Sequence, residues 1–108
     1  MKKYQKEVDK FVQQFDPAYW KPHETLARLV EEVGELAREI NHKFGPKKKK
    51  ATEKDNELED ELADILFTLI CIANSLDIDL DAGFKRVMDK AYGRDGDRYK
   101  KKEKNDKA

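Results

Sequence analysis

Two pairs of acidic residues have the spacing that a metal site on a helix surface requires. Glu32 and Glu35 are three positions apart. Glu61 and Asp64 repeat that spacing further along the chain. Side chains three positions apart share a helix face, so each pair can reach a single point. Crowded carboxylates repel one another unless a positive charge lies between them. Because Mg²⁺ prefers oxygen ligands and shares its coordination sphere with phosphates, the spacing predicts a magnesium and phosphate site. The alternative is two solvated acidic faces.

The elements that must position these acids are four amphipathic helices. Apolar residues recur at helical spacing along the chain, and no segment alternates as a strand does. The predicted bounds are about 4–15, 22–45, 52–76 and 79–93. Asp16-Pro17 stops the first helix, Gly45-Pro46 ends the second, and Thr52 with Asp55 opens the third as a capping box. The short connection between the second and third helices favours an antiparallel pair. We therefore predict an all-α fold, a four-to-five-helix bundle with a central antiparallel helix pair.

The apolar stripes of the two central helices are predicted to face the core. They comprise Leu26, Leu29, Val30, Val33, Leu36, Ala37 and Ile40 on the second helix and Leu58, Leu62, Ile65, Leu69, Ile72 and Leu76 on the third. Phe67, Ile70 and Cys71 lie opposite the second of these stripes, so the third helix is apolar nearly all round. A helix of this kind must be buried on every side. We expect a second subunit to complete the bundle, as a homodimer or homotetramer. The alternative is that the first or fourth helix covers the back face.

Composition restricts the class of protein further. The chain has 108 residues, 43% of them charged, and no net charge. This balance argues against binding to a nucleic acid polymer or an anionic membrane. No apolar run approaches the roughly 20 residues of a membrane span. Cys71 is the one cysteine, as is typical of a reducing compartment, and we expect a cytoplasmic protein in which Cys71 packs as a small apolar side chain. Residues 1–99 are predicted to form a single domain, and the lysine-rich residues 100–108 a disordered basic tail.

The stretches LVEEVGELA (29–37) and ELADIL (61–66) resemble the MazG-like nucleotide pyrophosphohydrolases of the all-α NTP pyrophosphatase superfamily. The signature of that family is E-x-x-E on one helix and E-x-x-D on the next. The resemblance covers about residues 20–95. It implies hydrolysis of a nucleoside triphosphate, often a deoxynucleotide, to the monophosphate and pyrophosphate, as part of nucleotide-pool house-cleaning. It also implies Mg²⁺, with Mn²⁺ as an alternative ion, and attack of water on the α-phosphorus. The implied catalytic residues and metal ligands are Glu32, Glu35, Glu61 and Asp64, whereas Glu31 is expected to pair with a surface lysine.

Similar proteins bind the phosphates with basic and amide side chains near the fourth helix. Here the corresponding candidates are Lys90 and Arg94, with Arg98 behind them. Relatives often have an asparagine near this point, where this chain has no counterpart. The basic run Lys47–Lys50 is either a second phosphate-binding candidate or solvated loop surface.

The stretch YWKPHETL (19–26) precedes the first acidic pair. In similar proteins this region builds the nucleobase pocket, which implies that Trp20 and His23 stack on the base or hydrogen-bond to it. The alternative is structural, with Trp20 as a core anchor and His23 as a helix cap.

Two other functions compete with hydrolysis. Glu39-x-x-His42 is a fragment of a di-iron carboxylate site. Such a site needs two fragments, and His23 has no glutamate three residues before it. A helical oligomerisation module or a nucleotide-binding regulatory module would leave the acids solvated, and magnesium would then not change its melting temperature.

Overall fold

The computed structural model describes residues 1–46, 48–50 and 57–102. Its helices are α1 (Lys2–Val12), α2 (Pro22–Phe44), α3 (Leu58–Ser75) and α4 (Leu80–Asp95). No strand occurs within these ranges, so the all-α prediction is confirmed. None of the four helices combines the length and the apolar character needed to cross a membrane. The predicted capping box of Thr52 and Asp55 lies outside the described residues, as do residues 103–108 of the predicted tail.

Two predicted helix ends need correction. α1 ends at Val12 rather than near Phe15, and a series of bends follows it, in which the Asp16–Pro17 peptide bond is cis. α4 continues past Gly93 as far as Asp95. A glycine inside a helix costs only about 1 kcal/mol relative to alanine, so Gly93 alone cannot end α4. α2 begins at Pro22 as predicted, because the first turn of a helix needs no backbone N–H there.

The fully buried residues of α2 are polar: Thr25, Glu32, Glu39 and His42. Much of the predicted apolar stripe is instead exposed, with Val30 at 65% and Val33 at 47%. The corresponding stripe of α3 is open at Leu62, Leu69 and Leu76. The prediction that the whole of each stripe faces the core is therefore wrong. The members that are half-buried are Leu29, Leu36, Leu58, Ile65 and Ile72. Two packed helices cover only one face of each other, and here that face carries the carboxylates.

The apolar core lies between α1 and α3. It consists of Val8 and Val12 from α1 packed with Ile70 from α3, where Ile70 is 2% exposed. The ring of Phe67 meets that of Phe11 edge to face, with centroids 6.3 Å apart. Ile70 on the back face of α3 is thus covered by α1, whereas Phe67 stays 41% exposed. The expectation that a second subunit covers Ile70 is corrected by this packing, and for Phe67 it stays a prediction.

A tight turn between α3 and α4 supplies hydrogen-bond donors to the last backbone carbonyls of α3. The Ile78 N–H donates to the Ala73 carbonyl at 2.8 Å, and the Asp77 N–H donates to the Asn74 carbonyl at 3.2 Å. Asp77 lies in the left-handed region with φ 55°. This pair of bonds is a Schellman motif, which gives partners to the last carbonyls of a helix.

Gln5 fastens α1 to that turn. Its side-chain nitrogen donates to Asn74 Oδ1 and to the Ile78 carbonyl, both at 2.9 Å. Its side-chain oxygen accepts from the Leu80 N–H at 3.1 Å. Asn74 Nδ2 in return donates to the Gln5 carbonyl at 2.9 Å. One side chain of α1 therefore supplies hydrogen-bond partners to the turn backbone and to Asn74.

Replacing Gln5 with Leu is expected to lower the free energy of unfolding by about 2 kcal/mol, because unpaired, partly buried groups cost about 1–3 kcal/mol. The groups left without this partner are the Ile78 carbonyl and the Leu80 N–H. Urea unfolding followed by circular dichroism measures the change. The matched control is Gln13→Leu at the end of α1, where the exposed amide bonds to Asp9. We expect the control to change stability by less than about 0.5 kcal/mol. Equal effects would contradict the role of Gln5.

Candidate functional site

Three of the four predicted metal ligands converge between α2 and α3. One carboxylate oxygen from each of Glu32, Glu61 and Asp64 lies within 4.8 Å of the other two. Glu32 and Glu61 are buried, whereas Asp64 is exposed. Within the described ranges, no other group of three histidine, cysteine or acidic side chains is close enough to hold a metal ion.

The antiparallel packing of α2 and α3 produces this convergence. Thr25 near the start of α2 lines the same cavity as Thr68 of α3. Further along α2, Glu32 meets Glu61 and Asp64, which precede Thr68 in the chain. Residue numbers therefore rise along one helix as they fall along the other, as predicted from the short connection. Asp64 and Glu61 project together because they lie one helical turn apart.

Glu35, the fourth predicted ligand, lies outside the converging group. Its side chain is exposed, and its oxygens are not among those within 4.8 Å. Its negative charge nevertheless acts on Glu61, where it raises the pKa of the carboxyl group. The structure thus places Glu35 beside the three converging residues without joining it to them.

Burial is the main reason why the pKa of Glu61 is raised above the ordinary value of 4.5. The further causes are nearby negative charges, in decreasing order those of Glu35, Asp64, Glu32 and Glu39. Among the described residues, Oε2 of Glu61 and Oε2 of Glu32 are buried and have no hydrogen-bond partner. Leaving such a group unpaired costs free energy. These two oxygens therefore lack hydrogen-bond donors within the described part of the chain.

A divalent cation fits this cluster of oxygens. Mg²⁺ binds oxygen at 2.0–2.1 Å, so opposite ligands lie about 4.2 Å apart. The observed limit of 4.8 Å is close to that distance. Small rotations of side chains would bring the three carboxylates into contact with one ion. The donor set is all oxygen, which suits Mg²⁺ or Mn²⁺.

Two basic side chains partly balance the acids. Arg28 Nη2 lies 2.7 Å from Glu32 Oε1, and its Nη1 lies 3.5 Å from Glu31. Glu31 thus forms a surface ion pair as expected, although its partner is an arginine. Lys49 Nζ lies 2.8 Å from Glu39 Oε2, with only 13% of the lysine side chain exposed. Lys49 is therefore not part of the solvated loop surface, whereas its neighbours at 48 and 50 are exposed.

The sequence patterns did not predict that Arg28, Glu39 and Lys49 lie beside the four acids. A signal existed for Arg28, because it precedes Glu32 by four residues, the spacing of a helical ion pair. Glu39 follows Glu35 by the same spacing. No signal distinguished Lys49, since its neighbours in the chain are also lysines. The fragment Glu39-x-x-His42 is buried, yet neither residue belongs to the group that could hold a metal.

A cavity of about 430 Å³ lies next to the turn of α3 that carries Asp64, although none of the four predicted ligands lines it. Its walls are largely apolar and aromatic and include Phe11, Phe15, Trp20, Phe67 and Cys71, with the hydroxyls of Thr25 and Thr68. Thr68 Oγ1 donates to the Asp64 carbonyl at 2.9 Å, so one wall is a single helical turn from the acids. Cys71 is half-buried, and its burial raises the pKa of the thiol.

Tyr19 fixes the segment that closes this cavity. Its hydroxyl donates to Asp9 Oδ1 at 2.6 Å and accepts from Asn74 Nδ2 at 3.0 Å. Burial, followed by the hydrogen bond to Asp9, raises the pKa of Tyr19 to about 12. The same hydrogen bond, followed by one from Gln13, lowers the pKa of Asp9. The phenol is therefore a permanent donor at neutral pH, and it ties residues 16–20 to α1 and α3.

The predicted substrate-binding residues are not all brought to the acids. Trp20 lines the cavity and is 56% exposed, so it is not a core anchor. His23 is exposed and does not line the cavity. Nor does His23 cap α2, where Glu24 Oε1 accepts from the Lys21 N–H at 3.0 Å. Lys90 and Arg94 are exposed on α4, and Arg94 pairs with Asp95. Their role at the phosphates stays a prediction.

Comparison with known proteins identifies relatives of this chain. Residues 21–99 match the model of the MazG nucleotide pyrophosphohydrolase domain. YpjD, an uncharacterised protein of Bacillus subtilis strain 168, is 53% identical over 103 residues, which is 95% of this chain and 93% of the relative. The crystal structure of Bacillus subtilis YpjD, assigned as a pyrophosphatase, has a TM-score of 0.74 at 54% identity and covers 82% of this chain and 91% of its own. The crystal structure of a Bacillus-conserved MazG protein, a nucleotide pyrophosphohydrolase, has a TM-score of 0.69 at 41% identity. The match covers 97% of this chain and 94% of that protein.

Replacing Lys49 with Ala is expected to lower the free energy of unfolding at pH 7 by about 1–3 kcal/mol, because a buried carboxylate loses a charged hydrogen-bond partner. That carboxylate is Glu39, whose negative charge also acts on Glu61. Denaturant unfolding at pH 7 measures the change.

The controls for this experiment are Lys48→Ala and Lys50→Ala. Both side chains are exposed, and each substitution changes the net charge by the same amount. We expect either change to alter stability by less than about 0.5 kcal/mol. If all three variants behaved alike, the ion pair of Lys49 would have no special part in the fold.

Proposed function

Because this chain belongs to the MazG nucleotide pyrophosphohydrolase family, we propose that it hydrolyses a nucleoside triphosphate to the monophosphate and pyrophosphate with Mg²⁺. The observation that supports this activity is the pair of buried, unpartnered oxygens, Glu32 Oε2 and Glu61 Oε2. They lie beside the carboxylate of Asp64. Buried acids without donors are unfavourable in the metal-free protein and become ligands once a cation is present.

The proposed metal ligands are the three converging residues, Glu32, Glu61 and Asp64, with Glu35 as the fourth. A divalent cation bound there neutralises phosphate charge and lowers the pKa of water. These side chains would hold the ion about one helical turn from Thr68 in the cavity wall, so the α-phosphate of a substrate bound in the cavity would lie next to the carboxylates. Lys90 and Arg94 remain the proposed partners of the outer phosphates.

The cavity beside the acids is the proposed nucleobase pocket. Its volume of about 430 Å³ lies within the range of small-molecule sites. Its aromatic walls offer faces on which a base can stack, and Trp20 is the accessible indole among them. Thr25 and Thr68 supply hydroxyls that can donate or accept hydrogen bonds. His23 has no proposed part in this pocket.

A panel of nucleoside triphosphates with Mg²⁺ tests the reaction. Both pyrophosphate and orthophosphate should be assayed, because the two products distinguish attack at the α-phosphorus from attack at the γ-phosphorus. We expect pyrophosphate and the nucleoside monophosphate in equal amounts. Orthophosphate alone would overturn the proposal.

Replacing Glu61 with Gln is expected to abolish pyrophosphate release, by at least about 100-fold, since ligation of the metal contributes several kcal/mol to the transition state. The same change should raise the melting temperature of the metal-free protein at pH 7.5 by about 3 °C. A carboxyl whose pKa is raised in the folded state destabilises the fold as pH rises from about 4.5 through that raised pKa. The destabilisation is complete above this window, and Gln removes it.

Glu59→Gln is the matched control, because Glu59 is exposed in the same turn of α3. It should leave hydrolysis and melting unchanged. Mg²⁺ should stabilise the parent and the control by mass action, and the Glu61 variant much less. Thermal melting with and without Mg²⁺ measures this difference. If Glu61→Gln hydrolysed the substrate at the parent rate, the proposal that Glu61 belongs to the metal site would be wrong.

We further propose that two or more copies associate through the exposed apolar stripe of α2. The stripe comprises Leu26, Val30, Val33, Ala37 and Ile40, which recur at the spacing of one helix face, and none of them is buried. Five aligned apolar side chains form a continuous patch, and such patches mark contacts between proteins. The open face of α3, at Leu62, Leu69 and Leu76, adds to this surface. A homodimer or homotetramer would cover both.

Replacing Val30 with Glu is expected to dissociate the assembly while the protomer stays folded, because Val30 is 65% exposed within its own chain. Light scattering measures the mass. The parent should weigh at least about twice the protomer mass of 12.6 kDa, and the variant should weigh about 12.6 kDa. Gln14→Glu, on an exposed residue after α1, is the control and should keep the parent mass. A parent of protomer mass would contradict association.

A further inference from the structure

We propose that Arg28 is a positioning residue for the metal ligand Glu32. In this role the guanidinium group holds one carboxylate oxygen, so the other oxygen is presented to the cation. The inference rests on the proposed function, because it assumes that Glu32 binds a divalent ion.

The first observation is the unequal state of the two oxygens of Glu32. Oε1 lies 2.7 Å from Arg28 Nη2, which is a short, charge-assisted contact. Oε2 is buried and has no hydrogen-bond partner among the residues that the structure describes. A single carboxylate therefore has one oxygen fixed and one oxygen free within the cluster. This is the arrangement in which a carboxylate can bind an arginine and a metal at the same time.

The second observation is the placement of the two side chains. Arg28 precedes Glu32 by four residues on α2, so both groups are held by one helical backbone. The arginine side chain is 53% exposed, whereas that of Glu32 is 4% exposed. Arg28 thus reaches from solvent to the outer oxygen of a buried acid. Its contact does not depend on α3, and closing the carboxylates around an ion leaves the i, i+4 geometry intact.

Two competing roles predict different effects. Arg28 could act as a counter-ion that occupies the place of the cation, in which case metal binding would have to displace it. Arg28 could instead bind the triphosphate, since half of its side chain is in solvent. The free Oε2 argues against the first role, because Arg28 leaves a ligand atom available. The existing bond to Oε1 argues against the second, because that part of the guanidinium group is already engaged.

Mn²⁺ binding to the full chain, followed by the loss of the free-ion electron paramagnetic resonance signal, tests the proposal without catalysis. Removing a group that orients a metal ligand commonly weakens metal affinity by about 10–100-fold. Arg28→Ala should therefore bind Mn²⁺ at least about tenfold more weakly than the parent, and Arg28→Lys should recover part of that loss. Lys43→Ala removes one positive charge from an exposed position on the same helix and should bind like the parent.

Kinetics separate the roles further. For Arg28→Ala, the Mg²⁺ concentration that gives half the maximal rate should rise by the same factor, while KM for the triphosphate at saturating Mg²⁺ stays within about twofold. Tighter Mn²⁺ binding by Arg28→Ala would identify a competing counter-ion and overturn the proposal. Unchanged Mn²⁺ affinity, with or without a raised KM, would also overturn it. A parent that binds no Mn²⁺ would overturn the proposed function as well, so the two failures are distinguishable.

Discussion

Repulsion between the carboxylates buried between α2 and α3 is the constraint on which the rest of the structure depends. Burial and four neighbouring negative charges raise the pKa of Glu61, so the interface between the two helices is under electrostatic strain at neutral pH. Arg28 pairs with Glu31 and Glu32, and Lys49 pairs with Glu39. The remaining unpaired oxygens point to a divalent cation, which removes more repulsion than a single ammonium group can.

The same constraint determines where the apolar surface lies. Because α2 turns its acids inward, most of its apolar stripe is exposed, at Leu26, Val30, Val33 and Ile40. The protomer is consequently left with a small core, in which the buried apolar residues are Val8, Val12, Ile70 and Ala73. Hydrogen bonds compensate for part of this shortage, since Gln5 fastens α1 to the turn after α3. Association through the exposed stripes would bury apolar area that the single chain cannot cover.

The helices and the acidic pairs could be predicted because both follow from local spacing. Periodicity places Glu61 and Asp64 on one face, and a short connection makes the helix pair antiparallel. Periodicity does not say which face of a helix meets its neighbour, and for α2 only Leu29 and Leu36 of the stripe assigned to the interior are half-buried. The place of Lys49 depends on how a loop folds back, and four consecutive lysines give no local signal for that. Glu35 has the predicted spacing, but its side chain is exposed and lies outside the group.

The cavity and the carboxylates are built by different parts of the chain. α1 and residues 16–20 form much of the cavity wall, whereas α2 and α3 supply the acids. Tyr19 and Gln5 hold α1 in place through bonds that involve none of Glu32, Glu61 and Asp64. Phe11 and Phe15 line the cavity and are not among these acids, so exchanging them would alter the wall without removing a carboxylate. Diverging copies of this gene could alter what the cavity admits by substitutions in α1 and the bends that follow it, while the acids are inherited unchanged.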